Sequence, residues 1–180
     1  LYPGTYYVTL LNGSSESRSY QLRSKAIGVE GSSYPIESRT LALQDGVVEI
    51  SDLAAREMAY YRVEIPESLK SWSVSVDPSG LGEVSLAVRR EHIATPGAAY
   101  YNTINRDGML LNSAGAEFFH EARADADDRV NAPLGVYHVT VISAGQSPSA
   151  LNAVGSGAAS ATLRSVSDMP ATVLGDGSPV

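Results

Sequence analysis

The phrase Gly4-Thr5-Tyr6-Tyr7-Val8-Thr9-Leu10 returns near the other end of the chain as Gly135-Val136-Tyr137-His138-Val139-Thr140-Val141. A proline, Pro3 or Pro133, stands just ahead of each copy. A second echo follows each time: Tyr20-Gln21-Leu22-Arg23-Ser24 matches Ala161-Thr162-Leu163-Arg164-Ser165. The interval between copies is that of one small β domain and far exceeds a solenoid repeat. The expected organisation is therefore the last two strands of one domain over residues 1–28, a linker over 29–45, a complete domain over 46–168 and a flexible tail over 169–180.

Alternation of apolar and polar residues is the dominant period. Tyr6, Val8 and Leu10 alternate with polar neighbours, Asn12-Gly13-Ser14-Ser15 reads as a turn, and residues 19–24 return as a second strand. Further strands are expected at Val47–Ile50, Met58–Ile65, Trp72–Val76, Val84–Arg89, Glu117–His120 and in the two echoed segments. A short strand over Tyr34–Ile36 is expected inside the linker. Ser51 is placed to cap one helical turn reaching Glu57, and residues 91–115, rich in Gly, Pro and Asn, read as irregular. Hydrophobic residues make up 43% of the chain and charged ones 18%, a globular balance, and ten tyrosines favour strands over helices. The fold class is all-β: an antiparallel β-sandwich, jelly-roll-like, with an extra N-terminal β-hairpin from a partial second domain.

Charge and composition exclude several functions. The net charge is −7 and no Lys/Arg cluster exists to neutralise phosphates, so neither nucleic acid nor an anionic membrane is expected as a partner. Cysteine is absent, which removes disulfides and thiolate zinc sites. No apolar run approaches the length of a membrane-spanning helix. Opening on Leu1-Tyr2-Pro3-Gly4, in the approach to a strand, the chain reads as a piece of a longer precursor.

Catalytic chemistry finds little to work with. His120-Glu121 opens like a zincin helix, but that motif needs a second imidazole one helical turn on, and position 124 is alanine. His138 replaces Tyr7 of the other copy, which suits a sheet-face contact. Gly155-Ser156-Gly157 lacks the strand-to-helix setting of a nucleophile elbow. No enzyme activity is expected. Glu121, Asp125, Asp127 and Asp128 offer hard oxygen ligands and form the candidate calcium site. The competing reading is a solvated acidic loop, because EF-hand spacing is missing and Arg123 and Arg129 bracket the segment. No cofactor is required. Trp72 shares a face with Val74 and Val76 and belongs to the core, whereas Tyr100 and Tyr101, beside Asn102 and Asn105, are the candidate ligand-binding residues at the surface.

Taken in order, Tyr60-Tyr61-Arg62-Val63-x-x-Pro66, Trp72-x-Val74-x-Val76, Leu86-x-Val88-Arg89-Arg90, Pro133-x-Gly135-x-Tyr137-x-Val139-x-Val141 and Leu163 resemble the bacterial pre-peptidase C-terminal domain. The likeness spans roughly residues 46–166, with Ser85 where the family usually has Asp and Ala87 where it has Tyr. The resemblance implies a β-sandwich appended to secreted enzymes, often in tandem, and binding to collagen or other insoluble polymers.

The expected function is that of a non-catalytic accessory or binding module in a secreted or cell-surface bacterial protein. It would tether or space a partner domain of the same precursor and bind an extracellular polysaccharide or matrix protein. The alternative is a structural repeat of an adhesin or surface filament.

Overall fold

Each strand of this protein that carries alternating apolar residues turns them to one side, and two such sheets close on each other. The computed structural model describes residues 4–66, 71–94, 108–111, 118–123, 135–147 and 155–167. In chain order the strands are β1 (Ile27–Val29), β2 (Ile36–Thr40), β3 (Gly46–Ala54), β4 (Met58–Ile65), β5 (Ser71–Pro78), β6 (Glu83–Arg90), β7 (Gly108–Leu111), β8 (Phe118–Arg123), β9 (Gly135–Gly145) and β10 (Ala158–Ser167). One sheet has six strands in the order β1-β2-β4-β9-β6-β7, and the other has four in the order β3-β10-β5-β8. The fold is an all-β sandwich. Every pairing is antiparallel except β1 with β2 and β2 with β4, which are parallel.

The first sheet turns Tyr61, Val63 and Ile65 of β4, Val84, Leu86 and Val88 of β6, and Tyr137, Val139 and Val141 of β9 inward. The second sheet answers with Trp72, Val74 and Val76 of β5 and with Ala159, Ala161 and Leu163 of β10. These residues form one continuous core, and fully burying a large member contributes roughly 1.5–3 kcal/mol. Trp72 is its largest fully buried side chain. Its ring lies 5.0 Å from that of Tyr137, tilted by 55°, so an aromatic pair spans the two layers. The indole Nε1 donates to Ser165 Oγ at 2.9 Å, and that hydroxyl donates to the Leu43 carbonyl at 2.9 Å. Small serines at the end of β10 leave room for the indole and satisfy its polar edge.

Three expectations are corrected. Residues 29–45 are not a linker: β2 pairs with β4 through Ser38–Tyr60 and Thr40–Arg62, and Leu41 is buried in the core. Ser51 to Ala54 do not open a helical turn. The strand continues to Ala54 because β10 pairs with it throughout, around an irregularity between Ala159 and Ala161. The reversal comes at Arg56, whose φ of 71° turns the chain towards the opposite layer. The expected N-terminal hairpin is absent as a ladder, since residues 4–26 carry no strand. The turn itself is present, with Asn12 Oδ1 accepting the Ser14 amide at 3.1 Å. Two strands with no sheet to bury them are marginal in water. In addition, the irregular stretch 91–115 contains β7, paired to β6. The expected tail, residues 169–180, lies outside the described residues.

Ser165→Ala removes the hydroxyl that accepts from Trp72 and donates to Leu43. Denaturant melts are expected to show a loss of about 1–3 kcal/mol with an unchanged slope. A loss indistinguishable from that of an exposed serine, such as Ser51→Ala, goes against the role given to this bond.

Candidate functional site

A cleft opens on the flank of the sandwich where β3, the edge of the smaller sheet, faces β2 and β4 of the larger one. Its volume is about 500 Å³. Tyr34 stands at its mouth, on the loop entering β2, and Tyr60 and Tyr61 enter from β4. Glu37 and Arg39 come from β2 and Glu49 from β3. Alternation explains the placement of the tyrosine doublet. Tyr61 faces the core side, next to the cleft, whereas the Tyr60 side chain points to the other face of the sheet. Tyr34 is exposed, as are Glu37, Arg39 and Glu49.

Burial raises the phenols of Tyr60 and Tyr61 above their ordinary value, and Arg39 pulls Tyr61 part of the way back. Both remain neutral donors at physiological pH. Glu49 Oε2 accepts the Thr162 hydroxyl at 2.9 Å, which orients its carboxylate on the strand edge. The cleft is largely polar in its lining, with the charged groups Glu37, Arg39 and Glu49 and the exposed ring of Tyr34.

The residues singled out in the sequence fall elsewhere. Tyr100, Tyr101, Asn102 and Asn105 lie outside the described residues, as do Asp125, Asp127 and Asp128. Glu121 sits on β8, opposite Ser73 of β5. Among the described residues no group of three or more His, Asp or Glu converges on a point. His120 lies on the same strand, opposite Val74, and Ser156 forms an isolated bridge with Gln146 in a loop. Trp72 is in the core, as its alternation indicated. The cleft was missed because its walls come from separate stretches, one of them read as a linker. The doublet Tyr60-Tyr61 and the Tyr34-Pro35-Ile36 run were its signals in the sequence.

His138 is the other notable group. It stands on the outer face of β9, half-buried, and its Nδ1 is shielded from solvent and has no hydrogen-bond partner among the described residues. Burial holds its imidazole below the usual histidine range, and Arg62 and His92 push in the same direction. The unfolded chain thus takes up the proton first, near pH 6.5, while the folded protein resists it. Stability is then complete above that value and declines as the pH falls towards the lowered folded value. His138→Tyr, which installs the residue found at the matching place in the other copy, is expected to flatten this part of the profile. Melting temperatures compared between about pH 7.5 and about pH 5 measure the effect, and an identical decline in both proteins contradicts it.

No family model matches the chain. No curated protein matches it either. Among solved structures it is similar to the periplasmic inhibitor of g-type lysozyme from Aeromonas hydrophila, at 14% identity and a TM-score of 0.40 over 71% of this chain and 95% of that one.

Proposed function

We propose that this chain is a non-catalytic module of a secreted or cell-surface bacterial protein, of the pre-peptidase C-terminal kind, that holds an extracellular polymer in its flank cleft. The observation that supports this most directly is the flank cleft, with the exposed Tyr34 ring at it, Tyr61 behind it, and Glu37, Arg39 and Glu49 among its lining residues. The C–H faces of a sugar ring stack on aromatic rings, while its hydroxyls suit fixed carboxylate and guanidinium partners. A site open along the flank between two sheets admits an internal stretch of a polymer, not only a chain end. The reading is non-catalytic on sequence grounds, since neither a nucleophile elbow nor a zinc-binding histidine pair is encoded. Binding of this kind would tether or space a partner domain of the same precursor.

Retention on insoluble polysaccharides and on collagen tests the proposal. The protein is expected to co-sediment with at least one such polymer, and Tyr34→Ala to cut retention roughly tenfold, in line with the loss of one aromatic contact. Tyr34 is exposed, so its truncation leaves the fold intact. Equal recovery of both proteins from every polymer sinks the reading.

A second reading, a structural repeat, is favoured by where the echoes fall. Gly4–Leu10 matches β9 and Tyr20–Ser24 matches β10, the strands that occupy interior places in the two sheets. Val8 is 69% exposed where its counterpart Val139 is at 0%, and Leu22 is 62% exposed where Leu163 is at 0%. On this reading residues 4–24 are the last strands of a preceding sandwich, one in each layer. Hydrogen exchange distinguishes it: in a longer gene product carrying that copy, amides 5–10 and 20–24 exchange at least about a hundredfold more slowly than in this chain. Equal rates in the two proteins rule it out.

A further inference from the structure

The registers of four neighbouring strands bring one polar row together on the outer face of the larger sheet. Thr40 of β2 pairs with Arg62 of β4, Arg62 with His138 of β9, and His138 with Arg89 of β6. Directly opposed residues share a face, and adjacent strands lie about 4.8 Å apart, so the row is continuous. The inward neighbours Leu41, Tyr61, Val63, Val88, Tyr137 and Val139 are all buried, which fixes the row on the opposite side.

One step further along the same face, the strands are covered. Thr140 and Ala87 are buried, and the Thr140 hydroxyl donates to the Ala94 carbonyl at 2.9 Å. The segment leading to Ala94 therefore folds back over β9 and carries His92 to the vicinity of His138. The registers thus set His138 between Arg62 and Arg89 on this face, with His92 near enough to act on it electrostatically.

Its electrostatics run against the rest of the molecule, whose net charge is −7. Among the described residues, Arg62 and Arg89 form no ion pair. Arg62 Nε donates to Thr40 Oγ1 at 3.3 Å. Glu30 lies beyond Thr40 and accepts that residue's amide at 3.0 Å; the Thr40 hydrogen bonds hold its carboxyl below the usual range, with smaller contributions from Arg39 and Arg62. Glu64 follows Arg62 on the same face of β4, opposite Val136 and diagonal to His138. Like charges placed across neighbouring strands repel, and an imidazole nitrogen shielded from water without a partner carries a cost of its own. Both costs are removed if a negatively charged acceptor enters from solvent.

We propose that Arg62, Arg89, His138 and His92, with Thr40 at the end of the row, form a binding site for a tetrahedral oxyanion, a sulfate or phosphate group. Guanidinium groups on two strands meet such a group from opposite sides, and protonated His138 supplies a donor from below. The site lies on the outer face of the larger sheet, whereas the flank cleft opens between the sheets, and neither depends on the other. The copy that carries Tyr7 in place of His138 lacks the central imidazole.

Histidine NMR tests the site directly, because the chain has only three imidazoles: His92, His120 and His138. Sodium sulfate and sodium phosphate are titrated against sodium chloride at constant ionic strength. Saturable shifts are expected at His138 and His92 and not at His120, with the His138 titration midpoint raised by about one unit on binding. Arg62→Gln and Arg89→Gln are expected each to weaken sulfate binding about tenfold. The Trp72 indole resonance reports that these surface variants remain folded. Dextran sulfate and uncharged dextran form a second arm. Saturation by the free ions identifies the bare oxyanion as sufficient, and saturation by dextran sulfate alone, lost in the same variants, identifies an ester on a polymer. Shifts that match chloride throughout, or that survive both substitutions undiminished, overturn the proposal.

Discussion

Trp72 is the point at which the two layers are tied. Its ring reaches Tyr137 across the core, and its indole nitrogen reaches back along its own sheet to Ser165. Ser165 in turn holds the carbonyl of Leu43, in the connection between β2 and β3. One side chain therefore links both sheets and the segment that passes from one to the other. A buried indole N–H without an acceptor costs on the order of 1–3 kcal/mol, so the packing and the hydrogen bond have to be satisfied together.

The strands that were legible in the sequence are those whose neighbours bury only one face. Trp72-Ser73-Val74-Ser75-Val76 and Val84-Ser85-Leu86 alternate because one side meets the core. Ile36-Glu37-Ser38-Arg39-Thr40 has too little apolar content to stand out, and its place in the sheet comes from parallel pairing with β4. Ser51 to Ala54 resembled a helix start because Ser and Asp are good caps, yet their partner is β10, distant in sequence. Local propensity lost to a pairing that no local window contains. The same reasoning accounts for the N-terminal pair. The echo identified both segments as strands, but β9 and β10 lie in different sheets and are not hydrogen-bonded neighbours, so a hairpin was the wrong way to join their counterparts.

Functional surfaces were less legible than strands for a related reason. The flank cleft draws Tyr34, Glu49 and Tyr60 from three stretches that meet only once the layers close. The outer row exists only by register: Arg62 and Arg89 are unremarkable in sequence, and a slip of one residue in either pairing that joins them through His138 would disperse the three. In a β-sandwich, a site is a property of the ladder at least as much as of its residues.

The strand order has a consequence for how such a chain comes into being. β9 separates β4 from β6, and β10 separates β3 from β5, yet these two strands are the last in the described chain. Until they emerge from the ribosome, the earlier strands have open edges and no common ladder. Neither layer can form progressively from its first strand. Assembly is deferred until β9 and β10 have been made and is then completed in both sheets at once. Translation halted before β9 would therefore leave separate groups of strands with open edges, not a half-built sandwich.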